Sequence, residues 1–298
     1  MRGGGHLTID LIRTINRVKF TGSREHTSNV LSVATMPSYK LYYFNLRARA
    51  EPSRLILAAA GVDYEDVRIK RENWPAEKAS GKFPLGQMPC LEVDGVMLAQ
   101  SNAIARYLAN EHGLAGKNNM EKARADMIVD TMGDLSPHLV KIIKEQDETK
   151  KDELKKEFTS KTLPACNTSL EKLLIQNNGG DGYFVGSELT WADLVFVNHV
   201  QRPLPGPSSV DAFPKLKALY EKVIALPKIS EWIEKRPKTD IYETVLTHSD
   251  DVNWALPMFC GIVTGPVIQL SSVRSYSDKT LLQFSSRLYA VTKPLAAY

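Results

Sequence analysis

The sequence has little cysteine, little excess charge and no intact membrane-length apolar run, and each shortage removes a class of function. Its three cysteines, Cys90, Cys166 and Cys260, are odd in number and widely scattered. That pattern fits neither a disulfide framework nor the paired spacing of a zinc site. A reducing compartment is the simplest reading. The formal net charge is +4 over 298 residues, and no Lys/Arg cluster is interleaved with aromatics, so no nucleic-acid partner is expected. The apolar run 255–270 is interrupted by Pro257, Gly261, Gly265 and Pro266. It is too short and broken to span a membrane.

What is present has a clear order. Residues 40–44 alternate as a strand, Pro52 suits the first turn of a helix running to about Ala60, and Gly61 closes it. Residues 65–69 form a second strand. Pro89 precedes a third, and Asp94-Gly95 is the two-residue turn that suits a β-hairpin because both positions tolerate positive φ. Val96, Met97 and Leu98 make the return. At Ser101 the pattern becomes helical, with Ile104, Tyr107 and Leu108 on one face. The sequence thus predicts βαβ followed by ββα, the thioredoxin-like α/β order, ending near Gly113.

From Met120 onward the strand signals disappear. Residues 120–148 and 150–176 read as two long helices joined by the polar run 144–153, whose mixed charges suit a solvated surface with weak pairs. Thr190 and Asp193 form a capping signal, flanked by Leu189 and Leu194 as a hydrophobic staple, and start a helix that closes an all-α domain. Cys90 falls on a buried strand, where an inert thiol is expected.

Gln100 and Ser101 stand at a helix start, where unpartnered backbone N–H groups attract a carboxylate. On these residues alone, Ser101 as a simple cap is the commoner role. Tyr43 closes the first strand, which puts a phenol at a mouth. A phenolic O–H donated to a thiol sulfur stabilises the thiolate and lowers a pKa that is near 8.5 in water. Arg49 adds positive charge nearby. Trp74 and Lys78 lie four apart and can face one ligand carboxylate, although an exposed lysine beside a half-buried tryptophan is the bland reading.

These segments, 36–51, 87–95, 100–108, 189–193 and 232–237, resemble the cytosolic glutathione transferases over about residues 36–241, and within them the sigma class. That class includes invertebrate glutathione transferases, haematopoietic prostaglandin D synthases and lens S-crystallins. The resemblance implies a thioredoxin-like domain (36–115), an all-helical domain (118–241), an N-terminal extension (1–35) and an unmatched C-terminal tail (242–298). It makes Pro89 a cis proline and gives Tyr43 and Arg49 the activation of glutathione's sulfur. Trp74 and Lys78 take the glycine end. Gln87 flanks Met88, whose backbone pairs with the cysteinyl unit like an added strand. Gln100 and Ser101 take the γ-glutamyl end, completed by Asp134 reaching across a homodimer axis.

By the same resemblance Leu46, Ala48, Val195, His199 and Ile241 line the pocket for a small-molecule electrophile, though a lone histidine there is more often a packing residue. The expected product is a thioether conjugate, with glutathione as co-substrate and peroxide reduction as a side activity. Prostaglandin isomerisation is a weaker alternative, because Lys141 replaces a tryptophan of the vertebrate synthases; Gly133 replaces an aspartate of their divalent-ion site, so the resemblance implies no metal here. An S-crystallin-like structural role or a hydrophobic-ligand carrier are the others. The expected compartment is the cytoplasm. Residues 1–35, with Arg13, Arg17, Lys19 and Arg24 against Asp10 and Glu25, bear a weak likeness to a mitochondrial presequence. Met36 is favoured as the start.

Overall fold

The computed structural model describes residues 37–239 apart from Pro203 and Pro205. The chain divides after Pro37 into two units, and all described residues except Pro37 belong to the second. The expectations for 1–35, for Ile241 and for the tail lie outside the described residues.

Strands β1 (Tyr39–Phe44), β2 (Glu65–Ile69), β3 (Cys90–Val93) and β4 (Val96–Ala99) form a sheet of order β2-β1-β3-β4. β1 runs parallel to β2 and antiparallel to β3, with Tyr43 opposite Arg68 and Tyr42 opposite Cys90. The expected alternation in β1 is absent: five of its six residues are buried. The cause is position, since β1 is flanked by β2 and β3 and covered on both faces. The hairpin forms as expected, with φ of 48° at Asp94 and 85° at Gly95.

Helix α1 (Glu51–Ala60) carries its proline in the first turn and ends at Gly61, whose φ of 70° is left-handed and costs glycine no Cβ clash. Leu55, Ile56 and Leu57 are all buried. A short helix α2 (Trp74–Ala79) precedes the Met88–Pro89 peptide bond, which is cis. Helix α3 (Ser101–Glu111) packs beside α1.

The helical region differs from the sequence expectation in four places. The first long helix is two, α4 (Asn119–Gly133) and α5 (Ser136–Lys144), parted at Asp134 and Leu135. Pro137 has no N–H to give the Gly133 carbonyl, so the ladder breaks there. The polar join shrinks to residues 145–147, because Asp147 caps α6 (Glu148–Glu157) by accepting from the Thr149 and Lys150 amides. Its lysines pair three residues back, Lys151 with Glu148 and Lys155 with Asp152, yet Lys151 itself is buried. A π-turn at Phe158–Thr162 leads into α7 (Leu163–Ile175). Pro164 there cannot bond four residues back, and the ladder widens instead.

The capping box at Thr190 and Asp193 starts α8 (Trp191–Val200). This helix does not close the domain; α9 (Pro214–Ile224) and α10 (Pro227–Lys235) follow it. All ten residues of α8 are buried, as in a helix surrounded by other elements. One hydrophobic cluster runs from Tyr39 on the sheet through α8 to Ile229 on α10. Leu135, Leu139, Ile142, Phe158 and Leu163 form a second, smaller cluster.

Candidate active site

Three segments of the second unit meet at the site. The first is the loop after β1, residues 45–50. Its Leu46 amide turns back onto the Phe44 carbonyl at 2.6 Å, and Ala48 has a φ of 34°, a conformation that a non-glycine residue holds only when its surroundings fix it. Two arginines fix it. Arg54 Nη1 donates to the Leu46 carbonyl at 2.6 Å, and Arg68 Nη1 donates to Asn45 Oδ1 at 2.9 Å.

Both guanidinium groups rest on Asp66. Arg54 Nε donates to Oδ1 at 3.1 Å, while Arg68 Nη2 pairs with Oδ2 at 2.7 Å. Arg54 Nη2 is also 3.1 Å from Oδ1, a charge contact without the alignment of a hydrogen bond. The Arg54 side chain is fully buried, and its Nη1 also meets Glu51 Oε2 at 3.4 Å. The other Glu51 oxygen accepts from Trp232 Nε1 and Arg236 Nη1, each at 2.9 Å. Arg236 Nη2 continues to Gln201 Oε1 at 2.8 Å. No local pattern in the sequence predicts this chain of contacts. The available signal was Arg54 placed immediately before the apolar run 55–57.

The second segment is the start of α3. Gln100 occupies the N-cap with a φ of 76°, and no side chain caps the helix. Ser101 is the first helical residue, so the simple cap expected on frequency is not what the structure contains. The first-turn N–H groups therefore receive no hydrogen bond from the N-cap side chain and keep their pull on an anion.

The third is the inner face of α8 with the α4–α5 junction. Here a cavity of about 410 Å³ is lined on one side by Ala48, Arg49, Gln100 and Ser101. Val129, Met132, Leu139 and Val195 add apolar surface, and Asn198, His199 and Arg202 lie along its α8 side. Asn198 Nδ2 reaches the Ala48 carbonyl at 3.4 Å, tying α8 to the loop. His199 is 1% exposed, and neither ring nitrogen has a protein hydrogen-bond partner. Burial, with Arg202 adding repulsion, pushes its pKa down to about 3, so the imidazole is neutral.

The structure thus brings Ala48, Arg49, Gln100, Ser101, Val195 and His199 around one cavity. The other expected site residues stand apart from that lining. Tyr43 is 1% exposed and packed against Phe44, with ring centroids 5.8 Å apart, rather than at an open mouth; the two-sided covering of β1 is the reason. Trp74 packs edge-on against Phe44 and Phe83. Lys78 is exposed on α2 and lies over Gly86, where a Cβ would meet its Cε at 3.3 Å. That brings Lys78 next to Gln87, whose carbonyl accepts from Cys90 Sγ at 3.2 Å. The Met88 side chain is buried. Leu46 packs against the core from the loop. Asp134 is exposed at the end of α4, beside Gly133, which does line the cavity.

Cys90 is fully buried and its thiol is pushed up to about 11 by that burial, which leaves it inert as expected. Cys166 is likewise raised to about 11, by burial first and the Asp134 charge second. Among the described residues no group of three or more His, Cys, Asp or Glu side chains is placed to hold a metal ion.

Comparison with known proteins settles the family. Residues 39–110 match the model of the glutathione S-transferase N-terminal domain, and residues 133–236 match that of the C-terminal domain. The chain belongs to the glutathione S-transferase family. It is 44% identical to hematopoietic prostaglandin D synthase of Gallus gallus over 207 residues, 69% of this chain and 100% of that one. It is 43% identical to glutathione S-transferase 1 of Ascaris suum over 208 residues, 68% and 99%. A solved Nu-class glutathione transferase from Haemonchus contortus superposes with a TM-score of 0.62 at 41% identity, covering 69% of this chain and 100% of that one. This transferase therefore carries the thioredoxin-like sheet and helical region of the family and uses glutathione as its co-substrate. No helix among the described residues is long and apolar enough to cross a membrane.

Proposed function

We propose that this transferase is of the sigma class and joins the thiolate of glutathione to hydrophobic electrophiles, with Tyr43 and Arg49 stabilising the sulfur anion. The observation that carries this reading is the convergence on one cavity of Arg49, the open start of α3 at Gln100 and Ser101, and an apolar wall from α4, α5 and α8. A cation and unpartnered amides suit the tripeptide's negative charges. The apolar wall suits an electrophile.

In this reading Trp74 and Lys78 hold the glycine carboxylate, Gln87 and the Met88 backbone before Pro89 hold the middle of the tripeptide, and Gln100 and Ser101 hold the γ-glutamyl end. Asp134 serves the neighbouring subunit of a homodimer, which its exposure at the end of α4 supports. Leu46, Ala48, Val195 and His199 face the electrophile. The domains run over 36–115 and 118–241, with 1–35 and 242–298 as additions, and the protein works in the cytoplasm in detoxification. Exposed Lys141 on α5 argues against prostaglandin isomerisation.

Steady-state assay of the full chain with glutathione and an aryl halide tests the reading. Wild type is expected to turn over, and Tyr43→Phe to lose about a hundredfold in kcat/KM, the scale of one lost anion-stabilising donor. Undiminished turnover in that variant would remove the mechanism.

A further inference from the structure

The hydrogen-bonded chain that starts at the loop after β1 does not end on the sheet. It crosses to α10 through Glu51, whose partner Arg236 lies 185 residues away in sequence. The links span 2.6 to 3.4 Å, and all but the exposed first are partly or fully buried: Asn45 to Arg68, Arg68 to Asp66, Asp66 to Arg54, Arg54 to both the Leu46 carbonyl and Glu51, and Glu51 to Trp232 and Arg236.

Arg54 is the pivot. A guanidinium with a fully buried side chain keeps its place only if its charge is balanced and its donors are used. Asp66 and Glu51 supply the balance, and the Leu46 carbonyl takes the short bond that sets the loop. Glu51 divides its two oxygens, one toward Arg54 and one toward α10. If Arg236 and Trp232 withdraw, the Glu51 carboxylate is free to swing fully onto Arg54, and Arg54 then shifts against the Leu46 carbonyl. Arg49 follows three residues later on the same loop.

We propose that Glu51 and Arg54 are positioning residues through which helix α10 orients the sulfur-activating loop, so that Trp232 and Arg236 tune thiol ionisation from outside the cavity. The proposal rests on the roles given above to Tyr43 and Arg49. A mere staple between sheet and helices would affect stability alone, whereas a positioning chain also alters the state of the bound sulfur.

The test is ultraviolet titration of glutathione thiolate bound to full-length wild type, Arg236→Gln and Trp232→Phe, with thermal midpoints measured alongside. In Arg236→Gln the midpoint of thiolate formation is expected to rise by about one pH unit, roughly tenfold less thiolate below the midpoint. Trp232→Phe, which removes a single N–H donor, shifts it less and in the same direction. Arg236→Lys recovers part of the loss. Leu170→Ala, a core truncation elsewhere, lowers the thermal midpoint without moving the titration. If Arg236→Gln fails to fold, Trp232→Phe decides. Lowered melting with an unmoved titration overturns the proposal and leaves the staple. Absence of any bound thiolate in wild type overturns the site reading, and the proposal with it.

Discussion

His199 and Asp193 sit six residues apart on one buried helix and are expected to make stability depend on pH in opposite directions. His199 has its pKa lowered from 6.5 to about 3, so the folded state refuses a proton that the unfolded chain accepts. Its contribution is complete above pH 6.5 and is lost as pH falls toward 3. Asp193 is raised from 3.8 to about 6, with burial outweighing the hydrogen bonds it accepts from Phe184 and Thr190. The folded state therefore holds a proton that the unfolded chain releases. Its contribution is complete below pH 3.8 and is lost as pH rises through 6. Between about pH 6 and pH 4 the two slopes, each about 1.4 kcal/mol per pH unit, nearly cancel in the wild type.

Substitution separates them. Relative to pH 7, the stability advantage of wild type over His199→Leu should shrink by roughly 2–3 kcal/mol at pH 4.5, while its advantage over Asp193→Asn should grow by roughly 2 kcal/mol. Urea unfolding of the three proteins at pH 7 and 4.5, at one fixed protein concentration, reads both differences. The other carboxylates are common to all three chains and drop out of the comparison. Equal His199→Leu differences at the two pH values would mean that the imidazole takes up its proton in the fold as readily as in the unfolded chain, and the account of its burial would be wrong.

Two further outcomes follow from backbone geometry. Gln100→Gly should stabilise the fold by about 1 kcal/mol by relieving its positive φ, yet weaken glutathione binding several-fold by isothermal calorimetry; unchanged affinity would remove Gln100 from the site. Gly61→Ala should destabilise by about 1–2 kcal/mol in urea, because the position is left-handed and the new Cβ would stand 2.3 Å from Lys228 Nζ, which bonds the Ala60 carbonyl at 3.3 Å.

The thioredoxin-like half was legible because its signals are local. A proline in the first turn, a glycine at Gly61, the Asp94-Gly95 turn and the helical spacing after Ser101 each act within a few residues, and all appear where expected. The helical half was less so. Apolar spacing continues across the α4–α5 junction, and only the missing N–H of Pro137 ends the ladder there. Burial of every face of α8 and of both faces of β1 removes the contrast between apolar and polar sides that periodicity needs.

Site residues divide the same way. Gln100 and Ser101 belong to a short segment whose form is dictated nearby, whereas the loop of Arg49 is held by Arg54 and Arg68; all three site residues meet at the cavity. The Glu51–Arg236 contact joins residues from opposite ends of the fold, and no local pattern carries it. The sequence places Tyr43 at the end of the first strand, but Phe44 extends that strand and both side chains are buried.

The cavity's two walls have unequal freedom to change. Val195 and His199 are packed into a helix that has no solvent-facing side, so a new side chain there disturbs the interior as well as the guest. Asn102 and Gly133 are exposed and can vary at small cost to the fold. Lineages or libraries that retune this catalyst toward other electrophiles would therefore accumulate their changes along the outer rim, leaving the inner wall as inherited.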